Sequence, residues 1–213
     1  MKRNEIFLIT IGGGTGSGKT TLAREIIRKI GKKSVLLLHI DDYYKDLSHM
    51  KKEEREKVNF DHPNSIDWEL LKDHIKKLLS GKSVKIPKYS FLTHVREGFK
   101  SVKPRKVIIL EGIFALYDDE INKLSKLRIY IDTESDIRFI RRLKRDVNEL
   151  GREVEEVIEK WIRVIKPMHE AFVEPTRKKA HIIVPEDPDG RMRERAVEVV
   201  CSMIEKLLNS NER

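Results

Sequence analysis

The chain has 213 residues, 39% hydrophobic and 37% charged, with a formal net charge of +9, which suits one folded, soluble domain with a sizeable core. A single cysteine, Cys201, excludes an intrachain disulfide framework, and with no signal-peptide pattern and no apolar run of membrane-spanning length a cytoplasmic protein is expected. The positive charge fits either a nucleic acid or a bound triphosphate and decides nothing alone.

Residues 6–11 are apolar but for Thr10 and read as a buried strand. The next segment, Gly13-Gly14-Thr15-Gly16-Ser17-Gly18-Lys19-Thr20, fits the phosphate-binding loop G-x-x-x-x-G-K-[ST]. Its glycines let successive N–H groups converge on phosphate oxygens, Lys19 reaches the β/γ-phosphates, and Thr20 offers a hydroxyl to Mg²⁺. Leu22, Ile26, Ile27 and Ile30 follow at helical spacing, and Gly31 ends the helix. A second apolar strand, residues 34–40, runs into Asp41 and Asp42, which puts Asp41 beyond a strand end near the phosphates.

Residues 45–57 are polar and read as a surface helix or loop. Ser65 or Asp67 can cap a helix carrying Leu70, Leu71, Ile75, Leu78 and Leu79. Alternation over residues 84–104 predicts a β-hairpin inserted into an α/β core, with Pro87 suited to an edge. A third strand, residues 106–112, ends in Glu111, an acid that belongs near Mg²⁺. A fourth covers residues 127–132. The helix over 134–149 aligns Arg138, Arg141, Arg142 and Arg145 on one face with few acids to balance them, and guanidinium forks suit phosphate. That face predicts a phosphate-closing lid that includes Arg152. The next helix carries Trp161 in an apolar stripe and is expected to bend or end at Pro167. A fifth strand over 180–185 and an amphipathic last helix complete a sheet covered on both sides, with Cys201 as a core thiol.

Taken together, Gly13–Thr21, Asp41-Asp42-Tyr43-Tyr44, Asn59-Phe60-Asp61-His62-Pro63, Tyr89-Ser90-Phe91 with His94 and Arg96, Glu111-Gly112-Ile113, the arginine helix and Ile182-Ile183-Val184-Pro185 resemble the uridine/cytidine kinase family of P-loop kinases. The resemblance spans roughly residues 6–190. It implies one P-loop kinase domain over 1–213, with a parallel sheet of order 2-3-1-4-5, a nucleoside-covering hairpin at 82–104 and an arginine lid at 136–152. ATP and Mg²⁺ would be the cofactors, with Thr21 and Asp189 joining the P-loop as ATP contacts. Asp41 matches the catalytic base, assisted by Lys19, Arg141 and Arg145, and lies near Mg²⁺ with Thr20 and Glu111. Asp61 matches the ribose-binding carboxylate. Tyr89, Phe91 and His94 match the pyrimidine pocket, and Arg142 and Arg152 match further substrate contacts. The implied reaction makes UMP or CMP from uridine or cytidine, in a homo-oligomer (dimer or tetramer) that binds neither nucleic acid nor membrane. Ser90, Lys160 and Gly190 depart from the family pattern. A phosphoribulokinase-like or pantothenate kinase-like acceptor, or an ATP-regulated nucleic-acid-binding module, is the alternative.

Overall fold

A computed structural model describes residues 5–185 and 191–210, so Asp189 and Gly190 lie outside the described residues. Its strands are β1 (Phe7–Gly13), β2 (Val35–His39), β3 (Val84–Ser90), β4 (Val95–Val102), β5 (Val107–Glu111), β6 (Ser125–Asp132) and β7 (Ile182–Pro185). Five form a parallel sheet in the order β2-β5-β1-β6-β7, which is 2-3-1-4-5 when the separate β3-β4 hairpin is left out. The order is the one the resemblance implies.

Alternation along the strands explains why they read as unbroken apolar runs. Phe7, Ile9, Ile11, Ile109 and Ile131 point to one face, covered by α1 (Lys19–Ile30) and, beyond the short helices, by the last helix at Arg191–Ser210. Leu8, Leu38, Ile108, Leu110 and Tyr130 point to the other, packed against Leu71, Ile75 and Leu78 and against hairpin residues Val84, Ile86 and Val102. Both faces are therefore dry, as in a doubly covered sheet. Cys201 is buried on the first face, as expected for a core thiol.

The remaining helices are α2 (Lys52–Arg55), α3 (Trp68–Leu79), α4 (Asp119–Leu124), α5 (Ser135–Leu150), α6 (Val154–Lys160), α7 (Lys166–Met168) and α8 (Arg191–Ser210). Asp67 caps α3 by accepting from the Leu70 N–H at 3.2 Å. No helix among the described residues is long and apolar enough to cross a membrane.

Two expectations change. Of the two outcomes expected at Pro167, a bend or an end, the helix does not end there. Trp161–Ile165 and His169–Val173 widen into π-helical turns on either side of α7, and a 3₁₀ segment, Glu174–Lys179, follows. A proline lacks an N–H and crowds the carbonyl four residues back, and a π turn relieves both by changing the hydrogen-bond register. The arginine face also divides. Arg138 is buried, its guanidinium carbon 5.6 Å from the Trp161 ring centroid and its Nε donating to the Thr133 carbonyl at 3.0 Å. It backs the phosphate loop and does not join a solvent-facing lid.

Candidate active site

The site lies beyond the C-terminal ends of β1, β2 and β5, where open parallel sheets hold their ligands. Strand β1 runs directly into the glycine loop, and α1 begins at Lys19, so the helix's first N–H groups face the loop's concavity. Gly16 has φ 76°, and a Cβ there would stand 2.5 Å from the Arg138 carbonyl oxygen, so only glycine fits. Lys19 Nζ donates to the Gly14 carbonyl at 2.8 Å. Burial, opposed by Glu111 and Asp41, lowers its pKa to about 8, which still leaves a charged ammonium at neutral pH.

Thr20 Oγ1 donates to Glu111 Oε1 at 3.0 Å, and the same oxygen lies 2.6 Å from His39 Nδ1. Burial alone would raise the Glu111 pKa, but the His39 hydrogen bond and the Lys19 charge outweigh it and hold the carboxyl below its usual range. Asp41 is the opposite case. Burial, then the Glu111 charge, pushes it up to about 6 against the pull of Lys19 and His39. No cluster of three or more metal-ligating side chains occurs among the described residues. Mg²⁺ needs fewer, since it keeps several waters and is held by one or two carboxylates plus substrate phosphates. A hydroxyl, Glu111 and Asp41 beside a phosphate loop fit that ion.

Two adjoining compartments meet at Asp41. One, of about 560 Å³, is lined by Thr15, Gly16 and residues 18–21 of the loop, by Glu111 and by Arg141, Arg142, Arg145 and Arg193, while Ser17 is fully buried beneath it. The other, of about 330 Å³, is lined by Tyr44, Phe60, Asp61, Tyr89, Phe91 and His94 on one side and by Arg142, Arg145, Arg152 and Lys160 on the other. Asp41, Thr15, Ile113, Arg142 and Arg145 belong to both.

The hairpin supplies the aromatic wall. His94, at its tip, has φ 54°, the sole non-glycine residue with positive φ among those described, and such outliers gather at functional sites. Its ring stacks on Phe60 with centroids 4.6 Å apart and planes 15° apart, and Tyr89 OH lies 3.4 Å from its Nδ1. Burial, aided by Lys160 and Arg152, lowers its pKa, so the ring is neutral at physiological pH. Two arginines tether the hairpin. Arg55 donates to the Thr93 carbonyl at 2.6 Å, and Arg96 donates to the Tyr44 carbonyl at 2.9 Å and to Asp67 Oδ2 at 3.0 Å.

The cationic wall turns on Asp146, a buried carboxylate that accepts from Arg142 at 2.6 Å, from Arg145 at 2.9 Å and from Arg152 at 3.0 Å. Arg142 Nη1 also donates to Thr15 Oγ1 at 3.0 Å, and Arg141 donates to the Gly16 carbonyl at 3.4 Å. Sequence reasoning found the arginines and missed their organiser. It placed Lys160 at a base-contact position, where it does line the compartment, but passed over Tyr44, Phe60 and Arg193 as lining residues and His39 as the partner of Glu111. Phe60 and Tyr44 stood inside quoted motifs, so the signal was present. Nothing in the spacing of Arg193 announced it.

A family model described as Phosphoribulokinase / Uridine kinase family matches residues 8–193. A uridine kinase of Halobacterium salinarum is 50% identical over 181 residues, covering 84% of this chain and 80% of that protein. One of Clostridium perfringens is 45% identical over 205 residues, covering 96% and 97%. Among solved structures, the phosphoribulokinase from Rhodobacter spheroides is similar with a TM-score of 0.61 at 15% identity, covering 85% of this chain and 70% of that one, a likeness of fold alone.

Proposed function

The chain belongs to the phosphoribulokinase/uridine kinase family, and from that premise we propose that it transfers the γ-phosphoryl group of ATP to the 5′-hydroxyl of uridine or cytidine. The observation that carries this reading is Asp41 in the wall common to a phosphate-binding compartment and an aromatic one. An alcohol is a weak nucleophile. Asp41, ionised at neutral pH, orients the 5′-hydroxyl and takes its proton, which contributes about 10²–10⁴-fold. The P-loop backbone with Thr15, Ser17 and Thr21 cradles the donor phosphates. Lys19, Arg141 and Arg145 meet the charge that spreads over the transferred group, where one arginine is worth about 10³–10⁵-fold. Thr20, Glu111 and Asp41 would hold Mg²⁺, which would supply neutralisation of the phosphate charge. Asp61 receives the ribose hydroxyls, Tyr89, Phe91 and His94 receive the base, and Arg142 and Arg152 close the cleft from the other side.

A neutral His94 offers one donor and one acceptor nitrogen and can exchange tautomers, so it accommodates either the carbonyl of uracil or the amino group of cytosine. A second purine ring would not fit beside Tyr89 and Phe91. The reading carries with it a homo-oligomer in the cytoplasm that binds neither nucleic acid nor membrane. The test is ATP consumption with uridine, cytidine, adenosine, ribulose 5-phosphate and RNA presented separately. Uridine and cytidine should be phosphorylated and the others not. Turnover with ribulose 5-phosphate alone would overturn the assignment.

A further inference from the structure

Behind the acceptor compartment lies a second, small cavity of about 10 Å³, lined by Thr15, Asp61, Ile113, Ile165, His169 and Val173. Its size is that of one water molecule. His169 Nδ1 is buried and has no hydrogen-bond partner among the described residues. The other ring nitrogen, Nε2, lies 3.4 Å from Glu174 Oε2, an oxygen that also accepts from Tyr130 OH at 2.9 Å. Burial, reinforced by the positive charges of Arg138 and Lys19, pushes the imidazole down to about 4, so it is neutral at physiological pH. A neutral ring beside a carboxylate keeps its proton on the nitrogen facing that carboxylate, which leaves Nδ1 as a bare, buried acceptor on a ring that lines the cavity.

The other polar groups on the cavity fix the remaining directions. Thr15 Oγ1 already accepts from Arg142, so its own proton is free to be donated. The Asp61 carboxylate only accepts when ionised. A water there would accept from Thr15 and donate to both Asp61 and His169, three hydrogen bonds, the usual number for buried water.

We infer that His169 is a positioning residue for the acceptor site, its Nδ1 holding a single water that in turn fixes the Asp61 carboxylate toward the cleft. The inference rests on the reading of Asp61 as the carboxylate that receives the ribose hydroxyls. Glu174 sets the tautomer, His169 presents the acceptor, and the water transmits the constraint. Asp61 has to be held from behind because it lines the cleft and the small cavity at once, and among the described residues its carboxylate makes no ion pair.

The experiment compares kcat/KM for uridine and for 2′,3′-dideoxyuridine, which keeps the 5′-hydroxyl and lacks both ribose hydroxyls. His169→Phe keeps the ring's bulk and removes the acceptor. It should reduce the uridine/dideoxyuridine ratio at least about fivefold through KM for uridine, with kcat and KM for ATP within about twofold. His169→Asn, whose amide oxygen falls near the Nδ1 position, should keep the ratio within about twofold of the wild type. Asp61→Ala is the reference and should collapse the ratio. If Asp61→Ala collapses it and His169→Phe does not, the positioning role is wrong and the ribose reading stands. If His169→Asn is as impaired as His169→Phe, bulk or packing is responsible and the inference also fails. If Asp61→Ala leaves the ratio unchanged, the ribose reading falls and takes this inference with it. Should His169→Phe fail to fold, Glu174→Leu, which removes the acceptor that sets the tautomer, should give the same loss, and an unchanged ratio there overturns the proposal.

Discussion

At the scale of single residues, Asp41 has a cost as well as a use. Its carboxyl ionises at 3.8 in a free chain and at about 6 in the fold, because burial and then Glu111 disfavour the charged form. Below 3.8 both states are protonated and no penalty arises. Between the two values the fold holds a proton the unfolded chain has lost, and above about 6 the full penalty is present. Asp41→Asn should therefore lower kcat at least about a hundredfold while ATP still binds. It should also stabilise the protein at pH 8 by up to about 3 kcal/mol, a gain that vanishes at pH 3.5. Thermal melts at the two pH values check the sign, and kcat/KM of the wild type should decline as pH falls through 6. His94→Tyr, bulkier and with a fixed hydroxyl, should shift the uridine/cytidine ratio of kcat/KM at least about tenfold, or about 1.4 kcal/mol of differential binding. An unchanged ratio with both rates intact would put His94 outside base recognition.

At the scale of elements, helix α5 owes its form to Asp146 more than to its arginines. Burial would raise this carboxyl, but Arg142, with its charge and hydrogen bond, and Arg145 outweigh that and hold it below its usual range. A depressed folded-state value means stability that is present above the unfolded value near 3.8 and is lost as pH falls through the folded one. Asp146→Asn should thus cost about 1–3 kcal/mol at pH 7, less than a fully buried pair because Arg145 and Arg152 keep some solvent. Urea melts should show that gap closing in acid. Arg141→Gln should depress turnover and change stability by no more than about 1 kcal/mol. A sharp loss of stability with turnover per folded molecule retained would make Arg141 structural. The strands and long helices were legible because alternation and 3.6-residue periodicity are local properties of the chain. The short helix α4 was not, since its six residues are too few for a periodic signal and Asp118 alone caps it, accepting from the Ile121 N–H at 2.9 Å. The burial of Arg138 was illegible for another reason: it depends on Trp161, 23 positions away, which no window around the arginine face contains. The candidate site divides the same way. Its loop and strand-end acids follow from motif spacing, and so does the i,i+4 pair of Arg142 with Asp146, whereas the burial of Asp146 and its bond to Arg152 follow only from the fold.

At the scale of the whole molecule, the hairpin is a separate sheet anchored at its base by Val84, Ile86 and Val102, with its tip over the cleft. Replacing Phe91–His94 by an Asn-Gly turn joins the paired residues Ser90 and Val95 directly. This should raise KM for the nucleoside at least about tenfold, with KM for ATP within about twofold, because the buried base of the hairpin is untouched. Equal damage to both constants would show that the hairpin supports the whole site. The packing of Arg138 behind the glycine loop also orders the history the sequence could have had. A Cβ on Gly14 would lie 2.5 Å from an Arg138 guanidinium nitrogen and 2.9 Å from its central carbon. Alanine at position 14 would thus force the buried Arg138 guanidinium away from its bond to the Thr133 carbonyl, a cost that a shorter side chain at 138 would remove. The two positions, 124 residues apart in the chain, should be non-additive: Gly14→Ala harmful by itself, and less so after Arg138→Met.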